Sequence, residues 1–253
     1  MGKIIAVANQ KGGVGKSTTA INLSACLAEK GKKILTIDID PQGNTTSGLG
    51  VDKNDIENTL YELMMDDADA EKVILKDVFE NLDVIPSNVN LSGAEIELMD
   101  MEEKEYTLKK ITDNLKDRYD YVILDCPPSL SILTLNALCA SDSVIVPIQC
   151  EYYALEGLSQ LIYTINLVKE RLNSELEIEG VLFTMFDVRN NLSQQVVENV
   201  KNNLDQKIYE TIIPRNVRLA EAPSYGLPII MYDSRSAGAD SYRRLAEEII
   251  REE

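Results

Sequence analysis

The sequence predicts a three-layer α/β/α fold with a mostly parallel central sheet. Strand-like apolar runs alternate along the chain with helix-like segments, which is typical of parallel strands joined by helical crossovers. The runs are short and nearly continuous in Ile, Val and Leu, as expected where helices cover both faces of a sheet. Such runs occupy residues 4–8, 34–37, 82–85, 121–124, 144–148, 181–184 and 208–213.

The first run leads into a glycine-rich loop and an amphipathic helix that we expect from about Gly15 to Lys30. Between residues 54 and 118 the chain is polar and acidic, and apart from the run at 82–85 we predict peripheral helices there. No internal repeat, low-complexity tract or Pro/Gly-rich linker divides the chain, which predicts one domain over residues 1–253. In the acidic region between residues 54 and 118, the apolar residues Leu91, Ile96, Leu98 and Met99 have a spacing typical of a helix.

The charge balance limits how the chain can bind nucleic acid. Lys plus Arg number 25 against 42 for Asp plus Glu, a net charge of −17, which excludes a surface that is basic all over. Any nucleic-acid contact must therefore use a local patch. No apolar run approaches the roughly 18 residues of a membrane-spanning helix, and no signal peptide is evident, so we expect a cytoplasmic protein without membrane contact.

The cysteines and the missing histidines narrow the chemistry further. The four cysteines form no C-x-x-C pair and lie in apolar stretches, which favours reduced core thiols over disulfides or zinc sites. Histidine is absent, so Ser-His-Asp catalysis and histidine-ligated metals are excluded. Water activation must depend on carboxylates or a bound metal ion.

A phosphate-binding loop is predicted between the first strand and the first helix, where residues 11–18 read K-G-G-V-G-K-S-T. Glycines let successive backbone N–H groups turn inward, and the helix N-terminus adds partial positive charge. Lys16 would reach the β- and γ-phosphates of ATP, and the Ser17 hydroxyl would ligate magnesium. The strict P-loop consensus is not met, because Gln10 stands where its first glycine belongs. The predicted ATP-binding loop residues are Lys11, Gly12, Gly13, Val14, Gly15, Lys16, Ser17 and Thr18.

The lysine at position 11, five residues before Lys16, makes this loop resemble the deviant Walker A motif of the ParA/MinD family of ATPases. In that family the first lysine reaches the nucleotide of a partner subunit, so that two ATP molecules lie between two subunits. The resemblance implies that Lys11 acts in trans within an ATP-dependent homodimer. A cation at the outer end of the loop is suited to neutralising phosphate charge, as an arginine finger does.

Three aspartates at predicted strand ends belong to the same site, because ligands gather beyond the carboxyl ends of parallel strands. Asp38 and Asp40 lie in the segment D-I-D-P-Q-G-N, and Asp125 opens D-C-P-P-S. Asp125 follows four apolar residues, the Walker B form that contacts magnesium through water. The family resemblance implies that Asp40 positions or activates the attacking water and that Asp38 orients water around magnesium.

The adenine contact is predicted from resemblance alone. The stretch P-R-N-V-R-L-A-E-A-P, residues 214–223, is similar to the family segment that borders the base, so Pro214 and Asn216 are the candidates. An ordinary strand-to-helix turn would use the same residue types.

Over nearly the whole chain the motifs look like those of the ParA/Soj partition ATPases, with Q-C-E-Y-Y-A-L-E-G at residues 149–157 among the most discriminating. Such ATPases bind ATP, dimerise and then bind double-stranded DNA without sequence preference, which predicts association with the nucleoid. A ParB-type (Spo0J-like) DNA-binding protein stimulates their hydrolysis.

DNA binding requires a basic patch on an acidic chain, and in the C-terminal third acidic and basic residues nearly balance, with 9 basic and 11 acidic side chains in residues 180–253. Arg189 and Arg218 stand at positions that match DNA-contacting arginines of the family, and arginine binds phosphate without reading sequence. No aromatic stripe accompanies them, which favours duplex over single-stranded DNA. Possible helpers are Lys201, Arg215, Arg243 and Arg244.

Two alternatives share the ATPase core. A ParA-like ATPase could use the nucleoid to position a protein cargo, and only its partner would differ. A MinD-like division-site ATPase would need a C-terminal amphipathic helix with a basic polar face, whereas residues 245–253 are mainly acidic on that face.

Overall fold

A computed structural model describes residues 2–151 and 154–252. Its strands are β1 Lys3–Val7, β2 Ile34–Asp38, β3 Leu75–Phe79, β4 Leu82–Ile85, β5 Tyr121–Asp125, β6 Ser143–Gln149 and β7 Glu177–Thr184. Its α-helices are α1 Lys16–Glu29, α2 Asn44–Gly48, α3 Leu60–Met65, α4 Ala70–Val73, α5 Leu91–Glu97, α6 Thr107–Leu115, α7 Ile132–Ala140, α8 Ala154–Arg171, α9 Asn191–Asn203, α10 Val217–Glu221, α11 Ile229–Tyr232 and α12 Ala237–Arg251. Short 3₁₀ helices occupy Leu98–Asp100, Lys104–Tyr106, Lys116–Arg118 and Ala222–Tyr225.

The described strands form one sheet in the order β3-β4-β2-β5-β1-β6-β7. Every neighbouring pair is parallel except β3 and β4, which are antiparallel. Alternate residues of a strand point to opposite faces. In β1, Ile4 and Ala6 join a core with α3 and α5–α8, whereas Ile5 and Val7 join a core with α1 and α12. The predicted three-layer α/β/α fold is confirmed.

The segment 208–213 is not a strand, and that prediction is wrong. It lies beside β7 but forms a single isolated bridge among the described residues, between Val181 and Ile208. The reason is a side chain of α12. The buried Glu248 carboxylate accepts hydrogen bonds from the backbone N–H groups of Glu210 at 2.7 Å and Thr211 at 3.1 Å. These amides are therefore satisfied by a carboxylate and not by a continuous strand ladder.

A strand was missed inside the region predicted as helices. Leu75–Phe79 pairs with β4 across a tight turn in which Asn81 has φ 64°. Asp77, in the middle of this strand, has φ 51°, and the pairing register shifts there. The bulge interrupts the two-residue alternation by which an edge strand is recognised.

The helical prediction for residues 91–99 is confirmed as α5 and the 3₁₀ turn that follows. Its apolar residues divide between two environments, because Leu91 and Leu98 are buried whereas Ile96 and Met99 are exposed. All four cysteines are free and buried, as predicted.

Candidate active site

The predicted phosphate loop connects β1 to α1 at the carboxyl edge of the sheet. Gly13 and Gly15 have φ 73° and 91°, values that a residue with a side chain rarely adopts. Gly15 caps α1, so the loop delivers its backbone directly to a helix N-terminus. A cleft of 530 Å³ opens over the loop and is lined by Gly12, Gly13, Gly15, Lys16, Ser17, Thr18, Ile21, Asp40, Asn44, Ser47, Gly48, Pro128, Met185, Pro223 and Ser224.

Lys16 lies inside this cleft and is 6% exposed. Its Nζ donates to the Lys11 carbonyl oxygen at 3.3 Å. Burial lowers the pKa of Lys16, while the negative charges of Asp125 and Asp40 raise it in part. The Lys16 ammonium is buried and makes only one long hydrogen bond among those found in the described residues, so it is well placed to bind an anionic ligand.

Lys11 is held outside the loop that it begins. Its Nζ lies 2.7 Å from the Glu151 carboxylate, and the two side chains are 51% and 52% exposed. The two lysines of the motif therefore occupy different environments: Lys16 faces the cleft, and Lys11 pairs at the surface.

Asp125 ends β5 beside the loop and is fully buried. Thr45 Oγ1 donates to its Oδ2 at 2.7 Å. Burial, and then the charge of Asp38, raise the pKa of Asp125 to about 8, and the nearby Ser17 hydroxyl partly offsets this rise in the pKa. Its Oδ1 is buried and has no hydrogen-bond partner among the described residues. An orphaned carboxylate oxygen next to a hydroxyl fits the coordination sphere of a hard cation such as Mg²⁺.

Asp38 and Asp40 have different surroundings. The Asp38 Oδ2 accepts from both the N–H and the Oγ1 of Thr46, each at 2.7 Å, so this carboxylate anchors the first turn of α2. Burial raises the pKa of Asp38 to about 6. Asp40 lines the cleft, and its Oδ1 accepts from the Gln42 N–H at 2.9 Å. Asp40 therefore faces the ligand space, whereas Asp38 lies behind it.

Pro214 and Asn216 line a second cavity of 250 Å³, which shares Gly15 and Thr18 with the cleft. The Asn216 Oδ1 accepts from the N–H groups of Arg218 at 2.8 Å and of Leu219 at 3.4 Å, which makes Asn216 the N-cap of α10. The structure thus brings the predicted adenine contacts next to the predicted phosphate loop, and it gives Asn216 a turn-forming task as well.

Two braces of the loop were missed from the sequence. Gln149 Nε2 donates to the Gly13 carbonyl oxygen at 2.9 Å, and Thr184 Oγ1 donates to that of Val14 at 2.8 Å. They end β6 and β7, so the strand-end rule that selected Asp38 and Asp125 would also have selected them.

The predicted basic residues lie on several elements of the C-terminal part of the chain, and three of them pair with carboxylates. Arg189 forms a two-point ion pair with Asp187, and its side chain is 84% exposed. Arg215 and Arg189 line the same cleft of 420 Å³. Arg218, on α10, pairs with Glu221 and Asp233. Of the remaining helpers, Arg243 is bound to Glu29, Arg244 contacts Asp240 and Ser241, and Lys201 is exposed on α9.

Within the described ranges, no helix has both the length and the apolar character needed to cross a membrane.

A mostly parallel sheet with a glycine-rich loop between β1 and α1 defines a P-loop nucleotide-hydrolysing protein. A protein-family profile described as an AAA domain matches residues 2–178. The chain is 59% identical over 249 residues to the sporulation initiation inhibitor protein Soj of Bacillus subtilis (strain 168), with 98% of each chain covered. It is 51% identical to the chromosome partitioning protein ParA of Myxococcus xanthus (strain DK1622), with 99% of this chain and 89% of that protein covered. The chain belongs to the ParA/Soj family of chromosome-partitioning ATPases.

Solved structures agree with this assignment. Cobyrinic acid a,c-diamide synthase from Mycobacterium smegmatis, with bound ADP and magnesium, has a TM-score of 0.87 at 36% identity. The match covers 99% of this chain and 95% of the synthase chain. A putative plasmid partition protein from Borrelia burgdorferi B31, bound to AMPPNP, has a TM-score of 0.85 at 30% identity, with full coverage of both chains at 100%. The cell division ATPase MinD of Pyrococcus furiosus has a TM-score of 0.83 at 26% identity.

Proposed function

We propose that this ATPase binds ATP with magnesium, dimerises around the nucleotide, binds double-stranded DNA without sequence preference, and acts in chromosome partitioning with a ParB-type partner. The protein would then work in the cytoplasm on the nucleoid. The observation that carries this proposal is the position of Lys11, which is a motif lysine held outside its own phosphate loop.

In the proposed site, the N–H groups of residues 12–18 and the Lys16 ammonium bind the triphosphate. Pro214 and Asn216 border the adenine in the adjoining cavity. Ser17 and Asp125 would hold Mg²⁺, with Asp38 orienting a water of its coordination sphere, and the bound ion would neutralise phosphate charge during hydrolysis. The orphaned Oδ1 of Asp125 supports this assignment, since a magnesium-bound water would supply its missing partner.

Asp40 is proposed to position and activate the attacking water. It is the one carboxylate among the residues that line the cleft, and the chain has no histidine to act as a base. A fixed carboxylate within hydrogen-bond reach of a water can orient it and accept its proton. The hydrogen bond from the Gln42 N–H holds one oxygen of Asp40 in place and leaves the other for the water.

Lys11 is proposed to serve the partner subunit's nucleotide. Because its ion pair with Glu151 is half exposed, breaking the pair costs little, on the order of 1 kcal/mol or less. A lysine bound to its own cradle would have no such freedom.

Arg189 and Arg218 are proposed to contact DNA phosphates. Both are exposed and paired with carboxylates at the surface, so a phosphate must displace Asp187 from Arg189, and Glu221 and Asp233 from Arg218. Attachment to a lipid surface, as in a MinD-like protein, receives less support. The apolar side chains of α12, including Tyr242, Leu245 and Ile249, are buried in the core that α12 shares with α1.

Light scattering of the purified protein with ADP, ATP or AMPPNP tests the dimer. We expect a monomer with ADP and a dimer with ATP and AMPPNP, and only the dimer should retard duplex DNA in a gel. Lys11→Ala should stay monomeric. The matched control is Lys76→Ala, because Lys76 also forms an exposed 2.7 Å ion pair, with Glu71, far from the cleft in the sheet order.

A dimer that forms equally with ADP, or a Lys11→Ala variant that dimerises as the wild type does, would contradict the proposed role of Lys11. DNA binding that ignores the nucleotide would contradict the proposed link between ATP and the nucleoid.

A further inference from the structure

The segment around α5 presents an apolar stripe to solvent. Val89, Ile96, Met99 and Met101 are 71%, 75%, 59% and 44% exposed, and we call these four residues the 89–101 stripe. Large apolar side chains close together at the surface mark interaction sites more often than isolated ones do.

Helical geometry places three of these four residues on one face. Helical hydrogen bonds start before α5, with the Ser92 N–H donating to the Val89 carbonyl at 3.1 Å. Positions 89, 96 and 99 are then spaced by seven and three residues, which places them on one face of a helix. The opposite face carries Leu91, Ala94 and Leu98, all fully buried. The helix is therefore apolar on both sides, and only one side has a partner among the described residues.

The stripe lies in the most acidic part of the chain. Residues 95–105 contain six carboxylates, at 95, 97, 100, 102, 103 and 105, and one lysine at 104. This charge repels DNA phosphate and anionic lipid. A second copy of the chain would bring the same negative charge to a two-fold contact. The surface is complementary to a segment that has apolar side chains on one face and arginine or lysine around them. Two exposed methionines suit such a segment, because their side chains adapt to irregular partners.

The stripe is also connected to the loop of residues 38–46, which carries Asp40 and which we call the hydrolysis loop. Ser87, two residues before Val89, donates its N–H to Thr46 Oγ1 at 2.9 Å, and Thr46 in turn binds Asp38. Gly43 packs on the same residue so closely that an added Cβ would lie 2.7 Å from the Ser87 carbonyl oxygen. Displacing the backbone at Ser87 therefore requires the loop between Asp38 and Thr46 to move as well.

We propose that the 89–101 stripe is the docking surface for a basic amphipathic segment of a protein partner, and that docking acts on the 38–46 loop through Ser87. The second half rests on the proposed role of that loop in hydrolysis, whereas the first half does not.

The binding test uses a fluorescent helical peptide of about 18 residues with leucine on one face and lysine on the other, measured by anisotropy without nucleotide. We expect Ile96→Ser with Met99→Ser to weaken binding by about tenfold or more, as loss of two central apolar contacts does. Met231→Ser is the matched control, since Met231 is 55% exposed on α11. A leucine–glutamate peptide should not bind.

Equal binding by wild type and the double variant would overturn the docking surface, as would equal binding of the acidic peptide. Self-association of the wild type that the double variant abolishes would assign the stripe to a second copy and would also overturn the proposal. A chain that hydrolysed no ATP would still give these binding results, so the two failures are distinguishable.

Amide hydrogen exchange tests the connection to the loop. On peptide binding we expect slower exchange in residues 86–101 and, through Ser87, in residues 40–48, with Ile96→Ser/Met99→Ser showing neither change. Protection confined to residues 86–101 would contradict the coupling to the hydrolysis loop.

Discussion

At the scale of single residues, the two motif lysines differ most in burial. Lys16 lies in the cleft near Asp40 and Asp125, whereas Lys11 pairs with Glu151 at the surface. A buried ammonium without a full set of acceptors favours an anionic ligand, and its removal takes away both a charge and a hydrogen-bond donor.

We predict that Lys16→Ala lowers the affinity for ATP by at least roughly 10- to 100-fold, because hydrogen bonds to a charged group contribute about 1.5–3 kcal/mol. Titration calorimetry with ATP and Mg²⁺ measures this. Lys30→Ala, at the other end of α1, is the control and should bind ATP normally. Normal binding by Lys16→Ala would show that the cleft is not the triphosphate site.

Asp40→Ala should keep ATP binding and lose turnover by about 10²- to 10⁴-fold, the usual contribution of a positioned acid or base. The variant should accumulate as a DNA-bound dimer, which gel retardation and phosphate release report together. Asp40→Asn is the control for loop distortion, because its amide oxygen can still accept the Gln42 N–H. We expect Asp40→Asn to be as slow as Asp40→Ala, whereas it would restore turnover if distortion of the loop were the cause. Normal hydrolysis by Asp40→Asn would exclude this carboxylate as the water-activating group.

At the scale of elements, the buried parallel strands were predictable because each is a nearly continuous apolar run. β3 and the segment 208–213 were not. A bulge at Asp77 hides the alternation of β3, and the apolar run at 208–213 is held by Glu248, which is distant in sequence. The sequence cannot reveal such a contact, because any of several acidic residues on α12 could make it.

The same contrast holds in the site. Loop residues and strand-end aspartates follow from local motifs. The strand-end rule also covers Gln149 and Thr184, but only the sheet order shows that β6 and β7 end beside the loop. For a different reason, the exposed apolar face of α5 could not be predicted. Its spacing predicts a helix, but spacing alone does not tell which apolar residues the core covers.

Glu248→Ala should lower the free energy of unfolding by about 2–3 kcal/mol, because two backbone N–H groups lose their acceptor. Urea denaturation followed by circular dichroism gives the change. The neighbouring Glu247→Ala removes only an exposed pair with Lys30 and should cost less than about 1 kcal/mol. Equal effects from the two variants would mean that the Glu248 contact does not hold the segment.

At the scale of the whole molecule, the proposed DNA binding has to overcome a net charge of −17, so it should depend on a few arginines and on salt. Arg189→Glu and Arg218→Glu should weaken ATP-dependent retention of DNA without changing ATP affinity, and wild-type binding should fall steeply with ionic strength. Arg171→Glu, exposed at the end of α8, is the control for added negative charge. If both test variants bound DNA as Arg171→Glu does, these arginines would not form the patch.

Stability should depend on pH through the buried carboxylates. Burial raises the pKa of Asp125 to about 8 and of Asp38 to about 6, above the ordinary carboxyl value near 3.8. Groups whose folded-state pKa is raised stabilise the fold at low pH and lose that contribution as the pH rises through the folded pKa. The contribution of Asp38 is lost mainly below pH 6, whereas that of Asp125 continues to fall up to about pH 8. From pH 6 to 8 we therefore expect the melting temperature without ligand to fall and the stabilisation by Mg²⁺ and ATP to grow. If the difference in melting temperature between the protein with Mg²⁺ and ATP and the protein without them did not grow from pH 6 to 8, the burial of these charges would be contradicted.

The spread of the site along the chain bears on how the protein is made. The cleft uses Gly12 at one end of the sequence and Ser224 near the other, and Tyr242 on α12 hydrogen-bonds Thr19 on α1 at 3.2 Å. During synthesis the phosphate loop is made first, and α12, which packs against α1 behind this loop, is the last described helix to be made. A growing chain therefore cannot complete the lining of this cleft until Ser224 has been synthesised, and the contact between α1 and α12 forms later still.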